Sequence, residues 1–540
     1  MSRLTPYSDK RTATSNEAYS TVVENYMGGN SFNVSPLATL KIVTASSIFG
    51  EPRYYQDGIG SSKTIKNHST LMEYDIFSDG VKDNRSVVDV FTSAIDNALD
   101  FDFKATLDFA LELRTEYFMR LNPAVIFVRA SQHPNRVAFN EANPGYMKSI
   151  GKAIALRPDD VTNQLDYYMF LNGSKKGLPS LLKRTWADTL ESFSRYQLNK
   201  YKGKSLIDLV RISHASNDDI TELMKTGTIK VTSSEQTWES LKSAGKTWVE
   251  ILDTIKVPHM ALLRNLRGIF TEINDAAIAA KVLEQLESGV LYGKQFPFRY
   301  WSAFKAIHLA EVNHSGLIKD SLEKCMDLAV ANMPKLDGRV MSLCDNSGSA
   351  WGSLNSEYGS VTVAEIANLS AIITAQQSGE GYVGVFGDRL QTRSISKRNG
   401  LLTQLNESNT AGRGIGGGTE NGIWLFWEKA IKDKQHWDTV FIYSDMQAGH
   451  GGLFGERPNE YKEFAHVKSD RYIDVLALVR KYRETVNPKV NIFSVQVAGY
   501  DNTVLPENLY RGAILAGWTG KEPVYAKAII DAWDSIENKQ

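Results

Sequence analysis

Five oxygen-bearing residues at strand ends hold the chain's most specific chemistry. Asp345, Ser347 and Ser349 alternate in Asp345-Asn346-Ser347-Gly348-Ser349, directly after the apolar run Val340-Met341-Ser342-Leu343-Cys344. A carboxylate and two hydroxyls at the end of a strand are hard donors suited to magnesium. Thr419 follows the glycine run Gly416-Gly417-Gly418, which lets the backbone approach closely, and it could lend a further hydroxyl. Asp445 ends the strand-like run Thr439-Val440-Phe441-Ile442-Tyr443-Ser444. The competing reading is that Ser347 and Ser349 cap a helix while Thr419 and Asp445 serve their own turns. Agreement between three separate strand-end signals favours the cation.

A second set could bind phosphate. Lys200, Lys202, Lys204 and Arg211 fall close together with Tyr201 and His214, and Asp208 is the chief acid among them. Cations would neutralise phosphates, and rings could stack on bases. Without further support such a cluster is usually a solvated helix face. Arg264, Asn265 and Arg267 in Leu262-Leu263-Arg264-Asn265-Leu266-Arg267 form a third candidate, because a helix there buries its leucines and turns its arginines outward. Equally, these polar groups could satisfy carbonyls of a neighbouring segment.

The elements that must position these residues change character near residue 336. Beyond it, strands at 340–345, 382–386, 439–444, 490–497 and 513–518 alternate with helices at 361–377, 421–431, 472–486 and 524–536. That alternation predicts a mostly parallel, doubly wound α/β sheet, whose ligands sit at the carboxyl ends of the strands. Before it, apolar residues recur at helical spacing: Leu178, Leu181, Leu182, Trp186, Leu190 and Phe193 share one face, and Lys183, Arg184, Asp188 and Glu191 the other. Further helices are expected over 105–121, 207–212, 238–255 and 274–291, with prolines near their ends. The predicted class is therefore α plus α/β, with a helical domain at 1–335, whose short helices stack as repeated pairs or pack as a plain bundle, and an α/β domain at 336–540.

Composition excludes several classes. The 540 residues are 42% hydrophobic and 23% charged, with a net charge of −1, so no global basic field marks a nucleic-acid binder. No apolar run approaches the roughly 20 residues that cross a bilayer, and the polar start Met1-Ser2-Arg3 is unlike a secretory signal. A cytoplasmic protein with no membrane partner is expected. Two cysteines, Cys325 and Cys344, are too few for a disulfide framework or a zinc cluster. Gly203-Lys204-Ser205 lacks the leading glycine of a phosphate-binding loop, and Gly414-Ile415-Gly416 lacks the strand a dinucleotide fold needs. Histidines such as His259, His308 and His436 show no ligand spacing, and no catalytic residues or enzyme activity are predicted.

Asp345, Ser347, Ser349, Thr419 and Asp445, in that order, resemble the metal-ion-dependent adhesion site of von Willebrand factor A domains. That resemblance implies a divalent cation, Mg2+, held by the serines and threonine directly or through water. It also implies aspartates acting through bridging waters, and an open position for a carboxylate from an acidic protein ligand. The helical part carries its own likeness. Leu178-Pro179-Ser180-Leu181-Leu182-Lys183-Arg184, Tyr196 to Lys204, Asp208 to His214, Val257 to Arg267 and Phe296-Pro297-Phe298-Arg299 resemble blocks of the TROVE module of the Ro ribonucleoprotein autoantigen family.

The family implies a ring of HEAT-like helical repeats closed by the A domain. It implies a ribonucleoprotein in RNA quality control that holds small noncoding Y RNA on its outer basic face and the single-stranded ends of misfolded RNA in its cavity, with an exoribonuclease as partner. On that resemblance Lys200, Lys202, Lys204, Arg211 and His214 match the outer patch, and Arg264, Asn265 and Arg267 are candidates for a cavity contact. The alternative is a metal-dependent protein-interaction scaffold without RNA.

Overall fold

A computed structural model describes residues 22–24, 30–33, 35–45, 87–116, 119–229, 237–331, 333–348, 350–351, 353–356, 359–417, 422–444, 465–466, 469–473, 475–497, 502–503, 505, 509–516, 520 and 522–537. It divides into two compact units. One comprises Ser35–Asp75 and Asp83–Gln236; the other joins Thr237–Gln540 to Met1–Val34 and Ile76–Lys82.

The first unit is helical, and its helices begin where the sequence supplies caps. Asp102 accepts the Ala105 N–H to open Phe103–Thr115, Ser194 accepts the Gln197 N–H to open Arg195–Lys200, and Asn217 accepts the Ile220 N–H to open Asp218–Thr226. Gly173 and Gly227, at φ +64° and +73°, close Pro158–Asn172 and Asp218–Thr226 in the left-handed conformation. The helix expected over 105–121 is two, Phe103–Thr115 and Leu121–Gln132. Near the break, Arg120 pairs with Asp159 and Asp160, and Asp160 also takes buried Arg114 at 3.0 Å. Ion pairs across some forty residues accompany that interruption.

The second unit carries the α/β layers. Strands β1 (Val22–Glu24) and β2 (Asn30–Asn33) form a hairpin. The helices Trp238–Ser243 and Trp248–Thr254 replace the single helix expected over 238–255, with Gly245 at φ +85° between them. Ala276–Ser288 and the single turn Val290–Gly293 likewise divide 274–291. After helices His259–Glu272, Pro297–His308 and Ser315–Ala331 comes β3 (Leu336–Asp345). The hairpin β4 (Ser353–Ser356) and β5 (Gly359–Thr362) follows, then β6 (Ser378–Phe386), β7 (Leu390–Ser394), β8 (Thr439–Ser444), β9 (Ala465–His466) and β10 (Ser469–Ile473). The series closes with β11 (Asn491–Gln496), β12 (Asn502–Thr503), which pairs with β2, and β13 (Gly512–Ala516).

The six-stranded sheet runs β13-β11-β8-β3-β6-β7, parallel except for β7. From β3 the chain adds β6 on one side and then crosses to β8 on the other, so the order reverses between β3 and β8. Ligands of open α/β sheets lie at the carboxyl ends beside such a reversal. On one face of the sheet, Met341, Leu343, Val440, Ile442 and Ile492 pack against Trp424, Trp427, Val479 and Tyr482 from helices Gly422–Lys432 and Val475–Thr485. Cys325 and Cys344 are free and buried. No helix among the described residues is long and apolar enough to cross a membrane.

The change from helices to alternating strands and helices falls at Leu336, but the compact boundary falls at 236/237. Lys305 pairs with Glu365 at 3.2 Å, and Glu323 lies under Gly400, which ties the last helices before Leu336 to the α/β layers. Gly381 shows how closely these layers approach, since a Cβ there would lie 1.9 Å from the Ala375 carbonyl oxygen. Gly381→Ala should lower stability by roughly 1–3 kcal/mol, read by calorimetry as a lower unfolding temperature. An unchanged temperature would show that strand β6 can move away.

Candidate metal edge and nucleic-acid surfaces

Asp345 ends β3 with its side chain fully buried. Its Oδ1 accepts the Ser347 N–H at 2.9 Å, and its Oδ2 accepts the Ser444 hydroxyl at 2.8 Å. Burial pushes the carboxyl group's pKa up, and the hydrogen bonds from Ser347 and Ser444 oppose that shift. The carboxylate is thus buried among neutral donors, with no ion pair from a described cationic side chain. A hard divalent cation would complete such a set.

The turn after Asp345 is fixed from two sides. Asn346 and Asn368 exchange amide hydrogen bonds at 2.8 and 2.9 Å, and Asn368 donates to Asn409 at 2.9 Å. These bonds lock the turn to helices Val363–Gln376 and Leu401–Arg413. Gly412 leaves no room for a side chain, because its Cβ would lie 1.9 Å from Asn346 Oδ1. Gly348 donates its N–H to the Gly417 carbonyl at 2.8 Å, so the glycine run reaches the turn two residues before Thr419. Ser444, which bonds Asp345, immediately precedes Asp445. Ser349, Thr419 and Asp445 lie outside the described residues. The structure therefore brings together Asp345, Ser347 and the segments that lead to Thr419 and Asp445. No group of three or more His, Cys, Asp or Glu suited to a metal occurs among the described residues; this donor set is chiefly hydroxyl and fits magnesium by type.

Lys200, Lys202, Lys204, Arg211 and His214 lie in the helical unit, and all five are exposed. Leu198, Leu206, Leu209 and Val210 take the inward positions of helices Arg195–Lys200 and Lys204–Ser213, which turns the cations outward. The Lys200 ammonium stands 5.8 and 6.0 Å from the Tyr196 and Tyr201 ring centres. Asp208 is engaged by Lys175 at 3.1 Å, and that bond, with Lys204 and Arg211 nearby, holds its carboxyl below the usual range. The chief acid of the cluster is therefore already neutralised by a lysine outside it. Lys202, Lys204 and Arg211 make no ion pair among the described residues.

Arg264 and Arg267 belong to the second unit. They are exposed one turn apart on His259–Glu272, while Leu262, Leu263, Leu266, Ile269 and Phe270 are buried. Asn265 donates to the Ala261 carbonyl of its own helix at 2.8 Å, so in this structure it satisfies the backbone. His259 packs against Gly289 and Gly293 and bonds the Tyr300 hydroxyl at 2.8 Å, with its pKa lowered by burial. Beside Gly293, Tyr292 is 88% exposed, a surface ring not among the residues expected from the sequence. Helical spacing gave no signal for it, since it follows the helix expected over 274–291 and lies on the separate turn Val290–Gly293.

Residues 222–336 match the family model described as the TROVE domain. Over 82 residues the chain is 37% identical to "Telomerase protein component 1" of Mus musculus; the match covers 14% of this chain and 3% of that relative, so the chain spans only a small part of its length. A solved structure titled "Crystal structure of Deinococcus radiodurans RO (RSR) protein" is similar with a TM-score of 0.55 and 14% identity, covering 92% of this chain and 100% of that one. That likeness shows the fold, helices followed by an α/β layer.

Proposed function

From a chain that carries a TROVE domain within the fold of a Ro protein, we propose an RNA-binding protein that acts in a cytoplasmic ribonucleoprotein, without a catalytic step. The observation that carries this reading is the exposed set Lys202, Lys204 and Arg211, free of ion pairs among the described residues while Asp208 is held by Lys175. Unpaired cations on a fixed helical surface neutralise phosphates without first breaking internal pairs. This surface takes a small, structured noncoding RNA of the Y type. Arg264 and Arg267, and Tyr292 on the turn Val290–Gly293 of the same unit, are exposed groups that suit a single-stranded end of a misfolded RNA: guanidinium groups meet phosphates and a ring stacks on a base. An RNA held at its structured part and at its end could be passed to an exoribonuclease, which is the quality-control role.

Asp345 and Ser347, joined by Ser349, Thr419 and Asp445, would hold magnesium at the carboxyl edge of the sheet. When bound, the cation supplies a coordination position for a carboxylate from an acidic protein partner. Protein purified in low salt is expected to carry RNA, seen as high absorbance at 260 nm, and sequencing should return small structured noncoding species. Purified protein free of nucleic acid, with no affinity for structured RNA in low salt, would favour a protein-interaction scaffold instead.

A further inference from the structure

We propose that Arg413 is the second anchor for whatever ligand reaches the Asp345–Ser347 edge, and that this ligand is an acidic protein segment with neighbouring carboxylates. The proposal rests on the magnesium reading of that edge and adds a specificity-determining residue to it.

Trp351 belongs to the same turn as Ser347, because its backbone N–H donates to the Ser347 carbonyl at 3.2 Å. The Arg413 guanidinium lies over this indole, 4.2 Å from the ring centre. Arg413 is the last residue of helix Leu401–Arg413 and follows Gly412, whose backbone abuts Asn346. The cation is therefore seated between the turn that presents Ser347 and the helix that braces it. It is exposed, and it makes no ion pair or side-chain hydrogen bond among the described residues. A basic residue in the last turn does complement the helix dipole. That role needs neither an aromatic seat nor a position beside the metal turn.

Stacking on an indole holds the guanidinium plane while its N–H fork stays open, and such a fork matches a carboxylate in bidentate geometry. On this proposal a segment that gives one carboxylate to the cation site gives a further acidic side chain to Arg413, seated on the indole of the same turn. RNA fits this edge less well, since tracking a phosphate backbone takes a row of cations. Arg389 is the neighbouring described cation, and it already donates to the Gly414 carbonyl at 2.7 Å.

The test uses the full chain and a fluorescein-labelled oligoglutamate peptide, titrated by fluorescence anisotropy in magnesium and in chelator. Arg413→Ala should weaken binding about tenfold in magnesium, the size expected for one charge-assisted pair. Arg413→Lys should recover only part of the loss, because an ammonium lacks the planar fork. Unchanged binding by Arg413→Ala overturns the anchor. Competition by oligouridylate that exceeds oligoglutamate and depends equally on Arg413 makes the occupant RNA and overturns the assignment. Binding that requires Arg413 but is the same in chelator sinks the magnesium reading and leaves the anchor standing, so the two failures are distinguishable.

Discussion

Replacing Lys200, Lys202 and Lys204 by alanine and His214 by asparagine should weaken binding of a structured RNA by roughly 10- to 100-fold near physiological salt, and should flatten its salt dependence by about two to three units of slope. The argument is electrostatic. Each phosphate neutralised releases counterions, so the lost contacts appear in the slope as well as in the affinity. All four side chains are exposed, and Leu198, Leu206, Leu209 and Val210 keep the helices packed without them. Asparagine is chosen at 214 because His214 ends its helix at φ +60°, where alanine would be strained. Filter binding across a salt series measures both quantities. Unchanged affinity and slope, with helical content preserved, would remove this surface from the RNA interface. Arg264 and Arg267 lie in the other unit, so their replacement should spare structured RNA and weaken a single-stranded end.

The parts of the fold that could be read in advance are those whose burial is written in continuous apolar runs. Strands β3, β8 and β11 are buried along most of their length, as central parallel strands are, so Val340 to Cys344 and Thr439 to Ser444 announced both the strands and the residues at their ends. Helix Leu401–Arg413 gave no such signal. Leu401, Leu402 and Leu405 are its main apolar residues, and Gln404 and Ser408 take inward positions. Gln404 is satisfied there by bonds to the Ser396 and Asn399 carbonyls of the preceding loop, an arrangement that no hydrophobic period reveals. The break between Thr115 and Leu121 was hidden for a related reason. Met119 is buried and continues the apolar pattern, while the interruption accompanies ion pairs to Asp159 and Asp160. The seat of Arg413 on Trp351 joins residues more than sixty positions apart and depends on Gly412 and Asn346 bringing a helix onto a turn. Spacing carries no trace of it.

At the metal edge the largest expected effect is on stability. Magnesium that binds the folded chain alone, at about one hundred times its dissociation constant, adds roughly 2.7 kcal/mol. The double variant Asp345→Asn, Ser347→Ala should lose that gain entirely. In chelator the ordering should change, because the Asp345 carboxylate is fully buried with its pKa raised, so its charged form costs stability when no cation compensates. Asp345→Asn alone keeps an acceptor for the Ser347 N–H, and the Ser444 hydroxyl can rotate to accept from the new amide. That single variant should therefore be at least as stable as the natural chain in chelator and less stable in magnesium. Calorimetric unfolding with and without the ion reads the crossover directly. A natural chain whose unfolding temperature ignores magnesium, and which gives no binding heat, would mean that Asp345, Ser347 and Ser444 only close their own turn. RNA affinity measured alongside should be the same in both variants at fixed salt, because Lys202, Lys204 and Arg211 belong to a unit that contains neither Asp345 nor Ser347.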